Sequence, residues 1–305
     1  MAAEPHPPIS GTTQLAGVLG DPVRHSLSPG MQNAAFRELG LDWVFLALPV
    51  SNARLAEALA GLEALECRGL NVTIPHKQAV VRFCRSLSPL AQRLGAVNTL
   101  VPLEGGGWHG TNTDVEGFQA PLRGDDWRGK QAMVLGCGGS ARAVVAALVE
   151  LGLERITVTG RRAGPLEALA GDCRAWAPQL HTSLWSPGGL VDPLQAAALV
   201  VNTTPVGMAS ASDPSAVGRC PLGAVELEAL QPGSCVYDLI YVPRPSRLLQ
   251  AAAARGCRTV DGLEMLVQQG AAALRLWSGR AEVPVAVMAG AAEALLQARQ
   301  ESPLA

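Results

Sequence analysis

The sequence has no excess of charge of either sign, no paired-cysteine motif and no long apolar run. Its 24 basic and 26 acidic residues leave a net charge of −2, which provides no basic face for nucleic acid and no polybasic segment for anionic lipid. The seven cysteines are odd in number and none forms a C-x-x-C pair, which argues against a disulfide framework. No stretch reaches the roughly 18 apolar residues of a membrane helix. These absences favour a cytoplasmic protein that binds a small molecule, with no nucleic-acid or membrane partner.

The sequence also lacks a metal-binding pattern. None of its five histidines has the spacing of metal ligands, and the glycines around them indicate turns. We therefore expect no metal. His25 and His76 adjoin polar motifs, and we interpret both as structural residues or as supports for neighbouring ligands.

The length and the apolar pattern predict two α/β domains. A chain of 305 residues exceeds the usual size of one domain, and its 48% apolar residues can fill two cores. Between residues 14 and 74, short apolar runs alternate with helical patterns, which predicts a mostly parallel sheet. A second alternation, from Gln131 to Leu239, is typical of a doubly wound Rossmann-like domain. The proline- and glycine-rich span from Pro205 to Pro232 is predicted to be loop.

Two alanine-rich helical segments follow Val260. We expect these helices to return to the first domain and complete it. The predicted division is therefore a first domain at 1–115, completed by 262–305, and a Rossmann-like domain at 116–261.

A glycine-rich turn marks a dinucleotide site in the second domain. The pattern Gly136-x-Gly138-x-x-Ala141 follows a predicted strand and opens a predicted helix, which is the context that this fingerprint requires. The glycines allow a tight turn and a close approach of backbone to the pyrophosphate, which would lie at the helix N-terminus. A structural turn would give the same pattern. The predicted pyrophosphate contacts are Gly136, Gly138, Gly139, Ser140 and Ala141.

The end of the next strand favours NADP over NAD. An NAD-binding domain places an acidic residue there against the ribose 2′-hydroxyl. This chain instead has Thr159-Gly160-Arg161-Arg162, with no acid in reach. Two guanidinium groups can bind a 2′-phosphate, although a solvated arginine pair would have the same sequence.

Two polar motifs upstream supply groups for proton transfer and for substrate binding. Lys77 ends the motif Asn71-Val-Thr-Ile-Pro-His-Lys77, and Asp114 ends Gly110-Thr-Asn-Thr-Asp114. A lysine beside a carboxylate can pass a proton while a nicotinamide passes a hydride, which describes reversible reduction of a ketone to an alcohol. Taken alone, Lys77 could be a surface lysine and Asp114 a helix cap.

A third motif, Gly20-Asp-Pro-Val-Arg-His-Ser26-Leu-Ser28-Pro29, places two hydroxyls at a predicted helix start. Hydroxyls and free amides at such a position can bind a carboxylate. Ser28 before Pro29 could equally be an ordinary N-cap.

The order of these motifs resembles the shikimate dehydrogenase family, whose members reduce 3-dehydroshikimate with NADPH in aromatic amino-acid and chorismate biosynthesis. The resemblance runs from Leu15 to Trp277. It includes the further motifs Gly95-Ala-Val-Asn98-Thr99, Asn202-Thr-Thr-Pro-Val-Gly-Met208, Tyr241-Val-Pro and Gly262-x-x-Met265-Leu-Val-x-Gln-Gly270.

The resemblance implies a role for each matching residue. Lys77 and Asp114 would be the catalytic pair, and Ser26 and Ser28 would bind the substrate carboxylate. The substrate hydroxyls would contact Thr73, Asn98, Asp114 and Gln269, with Lys77 and Tyr241 also in the substrate site. The other cofactor contacts would be Gly160, Arg161, Arg162, Thr203, Met208, Leu239, Gly262 and Met265. The oligomeric state, including a homodimer, stays open.

Three positions depart from the family pattern. Gln32-Asn33 replaces a frequent His-Asn, Gly160-Arg161-Arg162 replaces a frequent Asn-Arg-Thr, and Gln268 replaces a histidine. None belongs to the proton-transfer pair, so these changes leave open the fine selectivity for substrate. A quinate/shikimate dehydrogenase of broader specificity and a catalytically silent NADP-binding sensor are the alternatives, and the intact Lys77 and Asp114 argue against the sensor.

Overall fold

The computed structural model describes residues 9–208 and 213–301. The chain divides into two compact units. One is formed by the residues up to Gly117 together with those from Leu266 onward, and the other runs from Phe118 to Met265. The sequence analysis placed these boundaries between residues 115 and 116 and between residues 261 and 262.

The first unit contains a six-stranded sheet in the order β2-β1-β3-β5-β6-β4. Only β5 runs antiparallel to its neighbours, so the sheet is mostly parallel. Its elements are, in chain order, β1 Gln14–Gly20, α1 Ser28–Glu38, β2 Trp43–Pro49, α2 Leu55–Ala64, β3 Gly69–Val72, β4 Cys84–Leu87, α3 Pro89–Leu94, β5 Thr99–Pro102, β6 Trp108–Thr111 and α4 Asp114–Gln119.

The central strands are largely buried, as expected for strands that are covered on both faces of a sheet. Leu19, Leu70 and Leu100, from β1, β3 and β5, are fully buried in one core cluster with Trp108. In parallel β1 and β3 the register pairs Leu19 with Val72, so the loops that follow these two strands begin side by side.

The second unit contains an all-parallel sheet in the order β12-β11-β10-β7-β8-β9. Its elements are β7 Gln131–Leu135, α5 Gly139–Glu150, β8 Arg155–Gly160, α6 Ala163–Cys173, β9 Leu180–Leu184, α7 Val191–Ala196, β10 Leu199–Asn202, α8 Ala224–Glu228, β11 Cys235–Asp238, α9 Arg247–Ala254 and β12 Arg258–Val260. The strand order reverses between β7 and β10. This is the topological switch point at which doubly wound sheets bind ligands, and the predicted Rossmann-like fold is confirmed.

The last two helices, α10 Leu263–Ser278 and α11 Val285–Glu301, complete the first unit as predicted. Trp277 of α10 donates from Nε1 to the carbonyl oxygen of Leu100, at 3.0 Å. A Cβ atom on Gly69 would lie 2.2 Å from the indole Nε1 of Trp277, so only glycine at this point of β3 lets the ring lie against the sheet. Helix α11 packs against α1, where a Cβ on Gly30 would meet the side chain of Leu295.

One expectation about the second unit was wrong. The span 205–232 was expected to be loop, yet it contains a 3-10 turn at Pro214–Gly218 and helix α8. Residues 209–212 of that span lie outside the described residues. Over the described ranges, none of the helices combines the length and apolar character needed to cross a membrane.

Candidate active site

Lys77 and Asp114 form an ion pair in the first unit. The Lys77 Nζ atom lies 2.7 Å from Asp114 Oδ2, and the two side chains are 13% and 5% exposed. Lys77 stands in the loop after β3, and its carbonyl oxygen accepts a hydrogen bond from the amide of Val97. Asp114 is the first residue of α4. The fold therefore brings together two charges from separate motifs and largely shields them from water.

Asn98 holds the other oxygen of the Asp114 carboxylate. The Asn98 side-chain amide donates to Asp114 Oδ1 at 2.7 Å and lies 3.4 Å from Gln269 Oε1. The Asn98 Oδ1 atom accepts from the backbone amide of Thr113 at 2.7 Å. Asp114 is thus fixed between an ammonium and an amide, and Gln269 of α10 reaches the same cluster.

The Lys77 loop is anchored by the imidazole ring of His76. The ring is fully buried, with Nε2 2.6 Å from the carbonyl oxygen of Val50 and Nδ1 2.9 Å from Asn52 Oδ1. The His76 amide donates to the carbonyl oxygen of Thr73, whose side chain is half-buried. These contacts agree with the structural role predicted for His76, because the ring ties the loop to the end of β2.

Ser26 lies in the neighbouring loop, which follows β1, and Ser28 lies directly after that loop. The amide of Asp21 donates to the carbonyl oxygen of Ile74 at 3.0 Å, which joins the loop after β1 to the Lys77 loop. The interpretation of Ser28 as an N-cap is wrong: α1 begins at Ser28, and Leu27 occupies the cap position. The Ser28 amide donates instead to Ser26 Oγ at 3.1 Å.

The far side of the serine loop contacts the C-terminal helix. Arg299 of α11 donates from Nη1 to the carbonyl oxygen of His25 at 2.8 Å. Burial, reinforced by the positive charge of Arg299, lowers the pKa of His25 below its ordinary value. His25 therefore takes up a proton less readily than a solvated histidine, which agrees with its interpretation as a structural residue.

Gln32 is a buried residue whose role the sequence did not indicate. Its side-chain amide donates to the carbonyl oxygen of Gly270 at 2.9 Å, next to Gln269. A Cβ on Gly270 would lie 3.3 Å from Gln32 Nε2, so the absence of a side chain at 270 allows this close contact. The signal in the sequence is a polar residue on the apolar face of α1.

In the second unit, the glycine-rich turn has the geometry that the fingerprint predicts. Gly136 has φ 107°, a conformation that favours glycine, and a Cβ there would lie 2.6 Å from Thr203 Oγ1. Gly138 occupies the N-cap position of α5 and is exposed. Ser140 is half-buried and Ala141 is fully buried in the first turn. The backbone amides at this helix end suit a phosphate.

The end of β8 presents the two arginines. Gly160 is buried, and a Cβ there would lie 2.9 Å from Cys137 Sγ, so glycine lets the strand end approach the glycine-rich turn. Arg161 and Arg162 are exposed, and Arg162 occupies the N-cap position of α6. Among the residues that the structure describes, neither guanidinium has an ion-pair partner.

The other predicted cofactor residues follow the neighbouring strand ends. Thr203, after β10, donates from Oγ1 to the carbonyl oxygen of Leu135 at 2.8 Å. Leu239, after β11, donates its amide to the carbonyl oxygen of Asn202, and a Cβ on Gly262 would lie 2.0 Å from Leu239 O. The other two predicted cofactor residues, Met208 and Met265, are half-buried and buried, and Tyr241, which was predicted to lie in the substrate site, is half-buried.

Two family models and many known proteins match this chain. Residues 18–100 match the model of the shikimate dehydrogenase substrate binding domain, and residues 262–293 match that of the shikimate 5'-dehydrogenase C-terminal domain. The NADP(+) shikimate dehydrogenase of Synechococcus sp. (strain JA-2-3B'a(2-13)) is 49% identical over 285 residues, 93% of this chain and 96% of that protein. That of Thermosynechococcus vestitus is 49% identical over 294 residues, 95% of this chain and 98% of the relative.

A solved structure extends the comparison to the fold. Shikimate 5-dehydrogenase from Thermus thermophilus, in complex with NADP(H) and shikimate, matches with a TM-score of 0.79 and 37% identity. The match covers 92% of this chain and 99% of that one. The chain belongs to the shikimate dehydrogenase family.

Proposed function

We propose that this protein is an NADP-dependent shikimate dehydrogenase, which interconverts 3-dehydroshikimate and shikimate in chorismate and aromatic amino-acid biosynthesis. The observation that carries the proposal is the shielded pair of Lys77 and Asp114, 2.7 Å apart, in a chain 49% identical to enzymes of that name. The first unit would bind substrate and the second would bind NADP.

Reduction of the ketone places negative charge on its oxygen, and a proton donor must neutralise that charge. NADPH, when bound, supplies the hydride. Lys77 would give an ammonium proton to the oxygen, and Asp114 would hold the ammonium in place. In the reverse direction, Lys77 would accept the proton from the alcohol.

The polar residues around this pair would recognise the substrate. Ser26 and Ser28 would bind its carboxylate, and Thr73, Asn98 and Gln269 its hydroxyls, with Tyr241 nearby. A site that hydrogen-bonds its substrate in this way rejects analogues that lack those groups, because buried donors and acceptors would be left unpaired. This argument favours a polyhydroxylated carboxylate such as shikimate.

The second unit would bind NADP along the carboxyl ends of its strands. The turn from Gly136 to Ala141 would hold the pyrophosphate. Gly160, Arg161 and Arg162 would contact the adenosine half of NADP, with the arginines at its 2′-phosphate. The nicotinamide half would contact Thr203, Met208, Leu239, Gly262 and Met265. The positive φ of Gly136 and the exposed helix start at Gly138 support this assignment.

We place the enzyme in the cytoplasm, and we propose that it acts without a nucleic-acid partner because the chain carries a net charge of only −2. A homodimer is the assembly that we propose to test, by analytical ultracentrifugation. If the sedimentation coefficient at micromolar protein concentration corresponds to a 31.7 kDa monomer, the homodimer is rejected.

The direct test of the proposed function is a spectrophotometric assay of the purified protein. Shikimate and quinate would each be offered with NADP and with NAD, and kcat/KM measured for the four combinations. The highest value is expected for shikimate with NADP. Comparable values for quinate would favour the broader enzyme, and absence of turnover with all four pairs would favour a silent sensor.

Replacing both Arg161 and Arg162 with alanine should weaken NADP binding and leave NAD nearly unchanged. The guanidinium groups can pair with the 2′-phosphate, whereas NAD has only a hydroxyl at that position. The loss should be no more than about 3 kcal/mol, because both side chains are exposed and salt screens them. The measurement is kcat/KM for both cofactors at low and moderate salt. Equal losses for NAD and NADP would show that the arginines support the fold instead.

Replacing Ser26 or Ser28 with alanine should raise KM for shikimate more than KM for NADP. Each hydroxyl is proposed to make a charge-assisted hydrogen bond, worth about 1 to 3 kcal/mol. Ser28→Ala is the cleaner variant, because its backbone amide, and not its hydroxyl, makes the bond to Ser26. A lower melting temperature with unchanged KM would assign these hydroxyls to loop stability alone.

A further inference from the structure

A buried carboxylate in the second unit has no part in the reaction proposed above. Asp238, the last residue of β11, is 0% exposed. Its Oδ1 atom accepts hydrogen bonds from the Asn202 side-chain amide at 2.9 Å and from the Ile240 backbone amide at 3.1 Å. Its Oδ2 atom accepts from the Ser246 hydroxyl at 2.6 Å. Both oxygens are therefore bonded within the protein.

Each partner of Asp238 fixes a different piece of backbone. Asn202 ends β10, and its Oδ1 atom accepts from the Thr204 amide at 3.0 Å and the Thr204 hydroxyl at 2.7 Å. Ser246 caps α9 by accepting from the Leu249 amide at 3.3 Å. One side chain thus determines the start of the loop after β10 and both ends of the segment 239–246 after β11.

These two loops carry most of the residues assigned to the nicotinamide half of the cofactor, namely Thr203, Met208 and Leu239, together with Tyr241. The pyrophosphate and 2′-phosphate contacts lie instead at the ends of β7 and β8. The turn there has its own support, since the Gly136 amide donates to the carbonyl oxygen of Thr159 at 2.8 Å. The hydrogen bonds of Asp238 therefore serve one half of the predicted cofactor site.

We propose that Asp238 is a positioning residue for the nicotinamide half of NADP, because it holds the loops after β10 and β11 in the conformation that binds that half. The inference rests on the proposed function. It assigns no contact between Asp238 and the cofactor, and the expected effect is on binding of the nicotinamide half alone.

A substitution can remove the negative charge of Asp238 and keep its hydrogen bonds. Burial raises the pKa of this carboxyl, which indicates that the ionised form is unfavourable in this environment. In an Asp238→Asn variant the amide oxygen can still accept from Asn202 and Ile240, while the amide nitrogen donates to Ser246 Oγ. Asp238→Asn should therefore preserve the loops, whereas Asp238→Ala removes every bond.

The experiment is titration calorimetry of the full chain with NADP⁺ and with 2′,5′-ADP, a probe of the adenosine half alone. Asp238→Ala should raise the Kd for NADP⁺ about tenfold or more, since a tenfold change corresponds to the loss of about one hydrogen bond. The Kd for 2′,5′-ADP should change by less than about twofold. Asp238→Asn should restore NADP⁺ binding to within about threefold of wild type.

Two further variants keep the proposal testable. If Asp238→Ala does not fold, Ser246→Ala removes the Oδ2 hydrogen bond together with the cap of α9, leaves the two Oδ1 hydrogen bonds in place, and should give a smaller selective loss of NADP⁺ affinity. Glu226→Ala is the matched control, because Glu226 is another buried acid of this unit and accepts from the Gly188 amide at 2.7 Å, outside the predicted cofactor residues. It should leave both affinities unchanged.

Three results would overturn the inference. They are wild-type NADP⁺ affinity in Asp238→Ala, equal losses for NADP⁺ and 2′,5′-ADP, or the same selective loss in Glu226→Ala. A wild-type protein that fails to bind NADP⁺ or to oxidise shikimate would instead refute the proposed function, and this inference with it.

Discussion

Lys77→Ala is expected to lower kcat about 100- to 10,000-fold, the contribution that a positioned general acid or base usually makes. The Kd for NADP should hardly change, because the proposed cofactor residues lie in the other unit. The free energy of unfolding should also fall, since Asp114 is 5% exposed and would lose its cationic partner. The measurement is steady-state kinetics at a temperature where circular dichroism shows the variant to be folded.

Two variants control for charge and for folding. Lys130→Ala removes the other lysine of the chain, an exposed side chain of the second unit, and should leave kcat unchanged. Lys77→Arg keeps a positive charge beside Asp114 but releases its proton far less readily, so it should stay folded and remain slow. If Lys77→Ala retained more than about a third of wild-type kcat, Lys77 could not be the proton donor.

The sequence predicted the features that depend on local pattern. The strand Gln14–Gly20 is a continuous apolar run, and the turn at Gly136 follows an apolar strand and opens a helix. Both signals lie within a few residues of chain, so neither needs tertiary information. The return of the C-terminal helices followed from a change in composition after Val260.

The features that the sequence could not predict depend on contacts between distant residues. Strand β4 has only four residues, two of them exposed and two half-buried, so its pairing with β6, not its composition, makes it a strand. Helix α8 lies in a proline- and glycine-rich span that favours loop. The burial of Asp238 was equally hidden, because a carboxylate at a strand end usually indicates a solvated turn.

The hydrogen bonds of Asn98 are a further example, within the active site, of contacts that the sequence could not predict. The motif around Asn98 suggested a substrate ligand, but its bonds to Asp114 and Gln269 join residues 16 and 171 positions away. Only the fold reveals that this side chain also orients the catalytic carboxylate. A variant at Asn98 should therefore affect stability and catalysis together.

Asn98→Ala is expected to lower the free energy of unfolding by about 2 to 6 kcal/mol, because it leaves the buried Thr113 amide and Asp114 Oδ1 without their partner and each such loss costs about 1 to 3 kcal/mol. It should also lower kcat/KM for shikimate about 100-fold or more, since a reacting group misplaced by about 1 Å can cost that much. Urea unfolding and steady-state kinetics measure the two effects.

The matched control for this variant is Asn33→Ala in the same unit. The side chain of Asn33 also makes two hydrogen bonds, donating to the carbonyl oxygen of Phe45 at 2.9 Å and accepting from the Phe45 amide at 2.8 Å. These bonds tie it to the edge strand β2 and not to Asp114. Asn33→Ala should therefore lose stability while keeping kcat/KM near the wild-type value. If both variants lost stability and neither lost activity, Asn98 would be a purely structural cross-link, and the position of Asp114 would depend on Lys77 and the start of α4 alone.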